Sequence, residues 1–315
     1  MVRGVALYSF ICGAIASQLG ISQDGSGDDV VTSRLRTKLG AGGFVKVIGI
    51  NRVADPWLTE VVGLLGFDMV WFDLEHRAFS DEVIDGISLA CRATGIDLMV
   101  RICKNGYASA MRPLEFGANG IMVPHCSSPD EARQWAKWTR FPPQGQRGFD
   151  NCGADNDHGL SDPIEFIGRR NEEVFLVVQI EDREAIDCVE EIAAVQGVDL
   201  LFVGPADLTM SYGVPLERQH PLVQGALDKV ANAAEKAGKW WGTVTPTPES
   251  AQEELDRGAR MITCANDHFL LVNGLRDAYQ QFERVCLHEN RDRLRSLRAE
   301  AGDPEMRRGG SEEVG

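Results

Sequence analysis

Short apolar runs rich in β-branched side chains recur eight times along this chain, and segments of helical period separate them. The runs fall near Lys46–Ile50, Met69–Phe72, Asp97–Arg101, Gly120–Val123, Phe175–Ile180, Leu200–Val203, Trp240–Val244 and Met261–Cys264. Helices are expected near Pro56–Leu65, Asp81–Thr94, Ala108–Phe116, Pro129–Thr139, Arg183–Val195, Pro221–Ala237, Glu249–Arg257 and Phe269–Val285. Runs without polar alternation suit strands buried on both faces of a parallel sheet. Eight such units in 315 residues predict an α/β fold of the (β/α)8 TIM-barrel type. A doubly wound open sheet is the rival arrangement. No strand leads into G-x-G-x-x-G, so a dinucleotide fold has no support.

In a barrel, the polar residues just after each strand share one rim, where such folds hold their reactive groups. Val174 to Tyr212 displays the pattern in one complete strand–helix–strand unit. Its first strand runs into Glu181 and its second into Gly204-Pro205-Ala206-Asp207, so neighbouring strands each present a carboxylate, as a hard divalent cation requires. Either acid alone would more often cap the helix that follows it. Further polar residues recur at the same place: Asp73, Glu75 and His76 after the second strand, Arg101 ending the third, Pro124-His125 after the fourth, then Thr245 and Asn266-Asp267. Arg101 interrupts an apolar strand and can pair with an acid or stabilise an oxyanion. His76 can form an acid–base pair with Asp73, three residues back, or with Glu75. The Gly- and Pro-rich segment from Phe141 to about Ser161 is long for a compact domain, and it reads as a lid or clamp carrying Arg147, or as a subunit contact.

A formal charge of −15 argues against nucleic acid or an anionic membrane as partner, because phosphate recognition needs a basic stripe. The eight cysteines include no C-x-x-C pair and lie mostly in apolar segments, which fits reduced core thiols in a cytoplasmic protein. Residues 1–30 read as an extension, either disordered or weakly signal-like; residues 31–286 form the barrel; residues 287–315 form a charged tail.

These residues in this order resemble the HpcH/HpaI aldolase family, the metal-dependent class II pyruvate aldolases of the phosphoenolpyruvate/pyruvate barrel superfamily. The matching stretches are Gly66-Phe67-Asp68 leading to Asp73-Leu74-Glu75-His76, Val100-Arg101, Gly117 to Pro124, Phe141-Pro142-Pro143 with Arg147-Gly148, Gln179-Ile180-Glu181, and Val203 to Leu208. The resemblance implies retro-aldol cleavage of a 4-hydroxy-2-oxo acid to pyruvate and an aldehyde. It implies a divalent metal (Mg²⁺, Mn²⁺ or Co²⁺) on Glu181 and Asp207, with the keto and carboxylate oxygens of pyruvate completing its sphere. Gln179 would lie beside the substrate, and the backbone of Gly204, Pro205 and Ala206 would receive its carboxylate. Arg147 would serve substrate binding from the lid, Arg101 would stabilise the enolate oxygen, and His76 with Asp73 would move the hydroxyl proton. The family further implies a homo-oligomer, commonly a hexamer, that exchanges its last helix. Departures at Ile102-Cys103, Phe149-Asp150 and Asp182 touch the acceptor side. His125 is similar to its counterpart in macrophomate synthase, so oxaloacetate decarboxylation or enolate coupling is the enzymatic rival. A ligand-binding barrel is the non-enzymatic one.

Overall fold

The computed structural model describes residues 33–283 and 285, so the expectations for residues 1–30 and 287–315 lie outside the described residues. The strands are β1 (Val45–Ile50), β2 (Met69–Asp73), β3 (Asp97–Arg101), β4 (Gly120–Val123), β5 (Phe175–Ile180), β6 (Leu200–Val203), β7 (Trp240–Val244) and β8 (Met261–Asn266). They close in sequence order into one parallel barrel, β8 pairing with β1. The helices are α1 (Arg34–Gly40), α2 (Pro56–Leu64), α3 (Asp81–Thr94), α4 (Tyr107–Glu115), α5 (Pro129–Thr139), α6 (Pro163–Glu173), α7 (Arg183–Asp187), α8 (Val189–Ala193), α9 (Pro205–Ser211), α10 (Pro221–Ala237), α11 (Pro248–Asp256) and α12 (Asp267–Glu283). The helix expected over residues 183–195 is broken at Cys188 into α7 and α8.

Alternate strand positions face inward, so Val47, Met69, Met99, Met122, Phe175 and Phe202 fill the barrel while the other positions pack under the helices. Gly120 is in register with Phe175, and a Cβ there would strike the Phe175 ring, so one side chain fills the space of two. Helix α1 plugs the end where the strands begin. Its Leu35 and Leu39 are buried in the interior cluster, and the Asp97 carboxylate accepts hydrogen bonds from Ser33 Oγ and the Leu35 amide, both at 2.8 Å. Arg36 secures the plug through the Val174 carbonyl and Asp199. With one end stoppered, the open mouth lies at the strands' carboxyl ends.

All six described cysteines are free thiols; Cys91 and Cys126 are buried, whereas Cys152 and Cys264 are exposed and do not belong to the core. No helix among the described residues is long and apolar enough to cross a membrane.

Candidate active site

Strand register creates the first half of the site. Asp73 ends β2 and pairs in register with Arg101, which ends β3, so the two side chains face the mouth together. Arg101 Nε donates to Asp73 Oδ1 at 2.9 Å, and Nη2 lies 2.8 Å from Oδ2, a two-point fork. Nη1 meets Glu75 Oε2 at 3.1 Å. Burial alone would raise the Asp73 carboxyl, but the Arg101 guanidinium outweighs it and holds the group below the usual carboxylate range.

This arrangement corrects the expected Asp73–His76 pair. Arg101 occupies the Asp73 carboxylate, which also accepts the Glu75 amide at 3.1 Å, and of His76 only the backbone amide approaches it, at 3.5 Å. The His76 ring lies instead 3.7 Å from Glu75 Oε2, the partner the sequence left open.

Strands β5 and β6 supply the second half. Glu181 follows β5 and is 1% exposed. Its Oε1 accepts the His125 amide at 2.8 Å, and its Oε2 accepts Gln179 Nε2 at 3.0 Å. Gly204, the N-cap of α9, passes so close that a Cβ would collide with Glu181 Oε2. Pro205 opens α9, and the first-turn amides of Ala206 and Asp207 have no partner within the helix. Asp207 is exposed at the mouth, near enough to repel Glu181. Burial, reinforced by the Asp207 and Glu75 carboxylates, pushes Glu181 up to about 7 despite the His125 hydrogen bond.

His125 is the residue whose place the sequence did not assign. It sits in the left-handed region at φ 44°, a strained conformation for a non-glycine residue that clusters at functional sites. Lys104 Nζ grips its carbonyl at 2.7 Å, and its ring Nδ1 lies 3.1 Å from Asp182 Oδ2. Partial burial disfavours the charged imidazole, but Glu181, Asp182 and Glu75 outweigh it and raise the His125 pKa. Its signal in the sequence was a polar residue directly after a strand.

Arg147 is not at this rim. The segment that carries it follows α5, on the side where strands begin, and its guanidinium is 3% exposed, 2.6 Å from Asp155 Oδ2 and stacked on Phe141. Neighbouring Arg170 donates to the Ala118 carbonyl just before β4, which fixes the cluster at the closed end. The lid expectation fails because these charges consolidate the segment against α6. Asp267 lies at the rim as expected, but its carboxylate accepts the amides of Asn51, Arg52 and Val53 and ties the end of β1 to α12.

The donor set fits a hard divalent cation. Glu181 and Asp207 repel one another unless a positive charge lies between them, and the buried Gln179 Oε1 beside them has no hydrogen-bond partner. Among the described residues no three His, Cys, Asp or Glu side chains form a metal cluster, so Glu181 and Asp207 are the two carboxylates this rim would offer such an ion.

The buried acids set a pH dependence of stability. Asp97 is raised to about 6 by burial and Glu181 to about 7, so each binds a proton more tightly folded than unfolded and gains stability as pH falls through those values. His125, also raised, acts in the same direction. The melting temperature of EDTA-stripped protein is therefore expected to rise by several degrees between pH 8 and pH 5.5, read by calorimetry.

Comparison with known proteins agrees with this fold. The family model described as HpcH/HpaI aldolase/citrate lyase matches residues 52–274. The 5-keto-4-deoxy-D-glucarate aldolase of Klebsiella pneumoniae is 33% identical over 215 residues, covering 68% of this chain and 83% of that protein. An HpcH/HpaI aldolase from Desulfitobacterium hafniense DCB-2 superposes with a TM-score of 0.76 at 29% identity, covering 80% of this chain and 97% of that one. The citrate synthase SbnG gives a TM-score of 0.72 at 25% identity, covering 81% and 98%.

Proposed function

Because this chain belongs to the HpcH/HpaI aldolase/citrate lyase family, and so is a carbon–carbon lyase of the pyruvate-enolate type, we propose that it cleaves a 4-hydroxy-2-oxo acid to pyruvate and an aldehyde with a divalent metal. One observation supports the reading: at the carboxyl ends of the strands, buried Glu181 lies within electrostatic reach of the Asp207 and Glu75 carboxylates, and Glu75 is itself paired with an Arg101 guanidinium that keeps unengaged donors. A cation held by Glu181 and Asp207 supplies Lewis acidity to the oxygens of the 2-oxo acid.

The chain's own groups do the rest. Breaking the bond between C3 and C4 leaves negative charge on the C2 oxygen, and Arg101 donates to that oxygen. Two of its five N–H donors remain after the fork to Asp73 and the contact with Glu75. The first-turn amides of α9 receive the substrate carboxylate. His76, with Glu75 against its ring, takes the C4 hydroxyl proton as the aldehyde forms, and a proton returned to C3 converts the enolate to pyruvate. The His125 amide and Gln179 hold Glu181 in place.

Helix α12 exposes Phe269, Leu270, Leu275 and Phe282, an apolar surface that supports packing of this helix on a second copy in a homo-oligomer. Free thiols at the described cysteines support a reducing, cytoplasmic setting.

A second reading, oxaloacetate decarboxylation or coupling of the enolate to another carbonyl compound, is favoured by the extra imidazole of His125 near Glu181 and Asp182. One experiment separates the two: pyruvate release from a panel of 4-hydroxy-2-oxo acids and from oxaloacetate, by EDTA-stripped protein and after Mn²⁺, Mg²⁺ or Co²⁺ is restored. Metal-dependent release from a hydroxy-oxo acid is the expected result. Release from oxaloacetate alone would promote the second reading, and no release with any metal would overturn both.

A further inference from the structure

The two donors that Arg101 keeps for the substrate are useful only if the guanidinium plane is aimed correctly. Asp73 and Glu75 hold its edge, which fixes direction within the plane but not the tilt of the plane. The tilt is set from one face. Trp71 lies two residues before Asp73 on β2 and therefore points into the same interior. Its ring centroid is 4.9 Å from Arg101 Cζ. Phe202 meets the indole edge-on at 5.4 Å and 77°, and the residue in register on β1 is Gly49, which brings no side chain.

The indole is 8% exposed, and its Nε1 has no hydrogen-bond partner among the described residues. A buried tryptophan normally finds a partner for that N–H, and leaving it unpaired is unfavourable relative to a purely apolar side chain. The face of the ring is what the site uses, and tryptophan offers the strongest aromatic face to a cation.

We propose that Trp71 is a positioning residue: it sets the tilt of Arg101 and so aims the two unengaged N–H groups at the oxygen that becomes negative. The inference rests on the role given to Arg101 above.

The test compares Trp71→Phe, Trp71→Leu, Arg101→Ala and the Trp71→Leu/Arg101→Ala double variant on the best substrate of the panel, with metal present. Calorimetry with oxalate, a planar dianion resembling the enolate, provides a binding readout. Trp71→Phe keeps an aromatic face and is expected to stay within about threefold of wild-type kcat. Trp71→Leu is expected to lower kcat by about 10²-fold with KM little changed, the scale of a misaimed group. Oxalate affinity should fall by about tenfold or more while pyruvate affinity holds, as a group acting mainly on the developing charge requires. On the Arg101→Ala background, Trp71→Leu should change kcat by less than about twofold, because the two act through one group. Should Trp71→Leu fail to fold, Trp71→Met fills similar space without an aromatic face and replaces it.

Multiplying losses in the double variant, or a fall in Trp71→Phe as large as in Trp71→Leu, would overturn the inference while leaving the role of Arg101 intact. Equal rates in wild type and Arg101→Ala would remove Arg101 from the reaction, and the inference with it.

Discussion

Glu181→Gln is expected to lower kcat/KM by about 10³-fold or more, the scale of several kcal/mol of lost Lewis-acid stabilisation. The substitution preserves shape. A glutamine oxygen still accepts the His125 amide, now made to Glu181 Oε1 at 2.8 Å, so the left-handed turn at His125 keeps its anchor. What disappears is charge, and with it one of the two carboxylates the chain offers a cation. Glu181 is a buried acid pushed up to about 7, so its ionised form opposes folding at pH 8. The variant should therefore lose activity while its EDTA-stripped form melts no lower than stripped wild type at pH 8. Paired steady-state kinetics and melting curves check both halves, and loss of activity accompanied by a large fall in melting temperature would point to a structural role instead.

Arg101→Ala is the second large effect, with kcat expected to fall by about 10² to 10³-fold, as for loss of a preorganised oxyanion donor. This variant also leaves Asp73, 1% exposed, without its counter-charge, which destabilises by about 3–5 kcal/mol. Arg101→Lys separates the two consequences. It keeps a positive charge beside Asp73 but not the fork, so stability should largely return while kcat stays depressed. Mn²⁺ affinity, measured by titration calorimetry, should be little changed in either variant, because Arg101 contacts Asp73 and Glu75 rather than Glu181.

The barrel was legible in the sequence because buried parallel strands leave uninterrupted apolar runs, and β3, β4, β5, β6 and β7 begin and end where those runs do. Helices α1, α6 and α9 were not anticipated. The first and last are seven residues each, too short for a periodic stripe, and α6 follows a loop whose Gly, Asn and Asp content masks its start. Glu181 and Arg101 could be found because a charge at the end of an apolar strand has few structural explanations. The partner of Asp73 could not be, since spacing along the chain favoured His76 while strand register delivered Arg101. Arg147 misled for a different reason: a long loop reads as functional wherever it lies, and that reading outweighed its place between the helix at Pro129–Thr139 and the strand at Phe175–Ile180, which puts it at the strands' amino ends. His125 carried the right signal but looked weak alone, and only the closed barrel brings it to Glu181. Trp71 gave no signal at all, because an aromatic residue in a strand is ordinary core.

The central claim is that this mouth generates the enolate of pyruvate, whatever the aldehyde. The most direct measurement is exchange of the pyruvate methyl protons for deuterium in D₂O, followed by NMR with no aldehyde present. Exchange that appears with Mn²⁺ or Mg²⁺, vanishes with EDTA and is lost in Glu181→Gln and Arg101→Ala is the predicted result. Metal-loaded wild type that releases pyruvate from a hydroxy-oxo acid yet never exchanges the methyl protons, or exchange that survives EDTA and both substitutions, would contradict it.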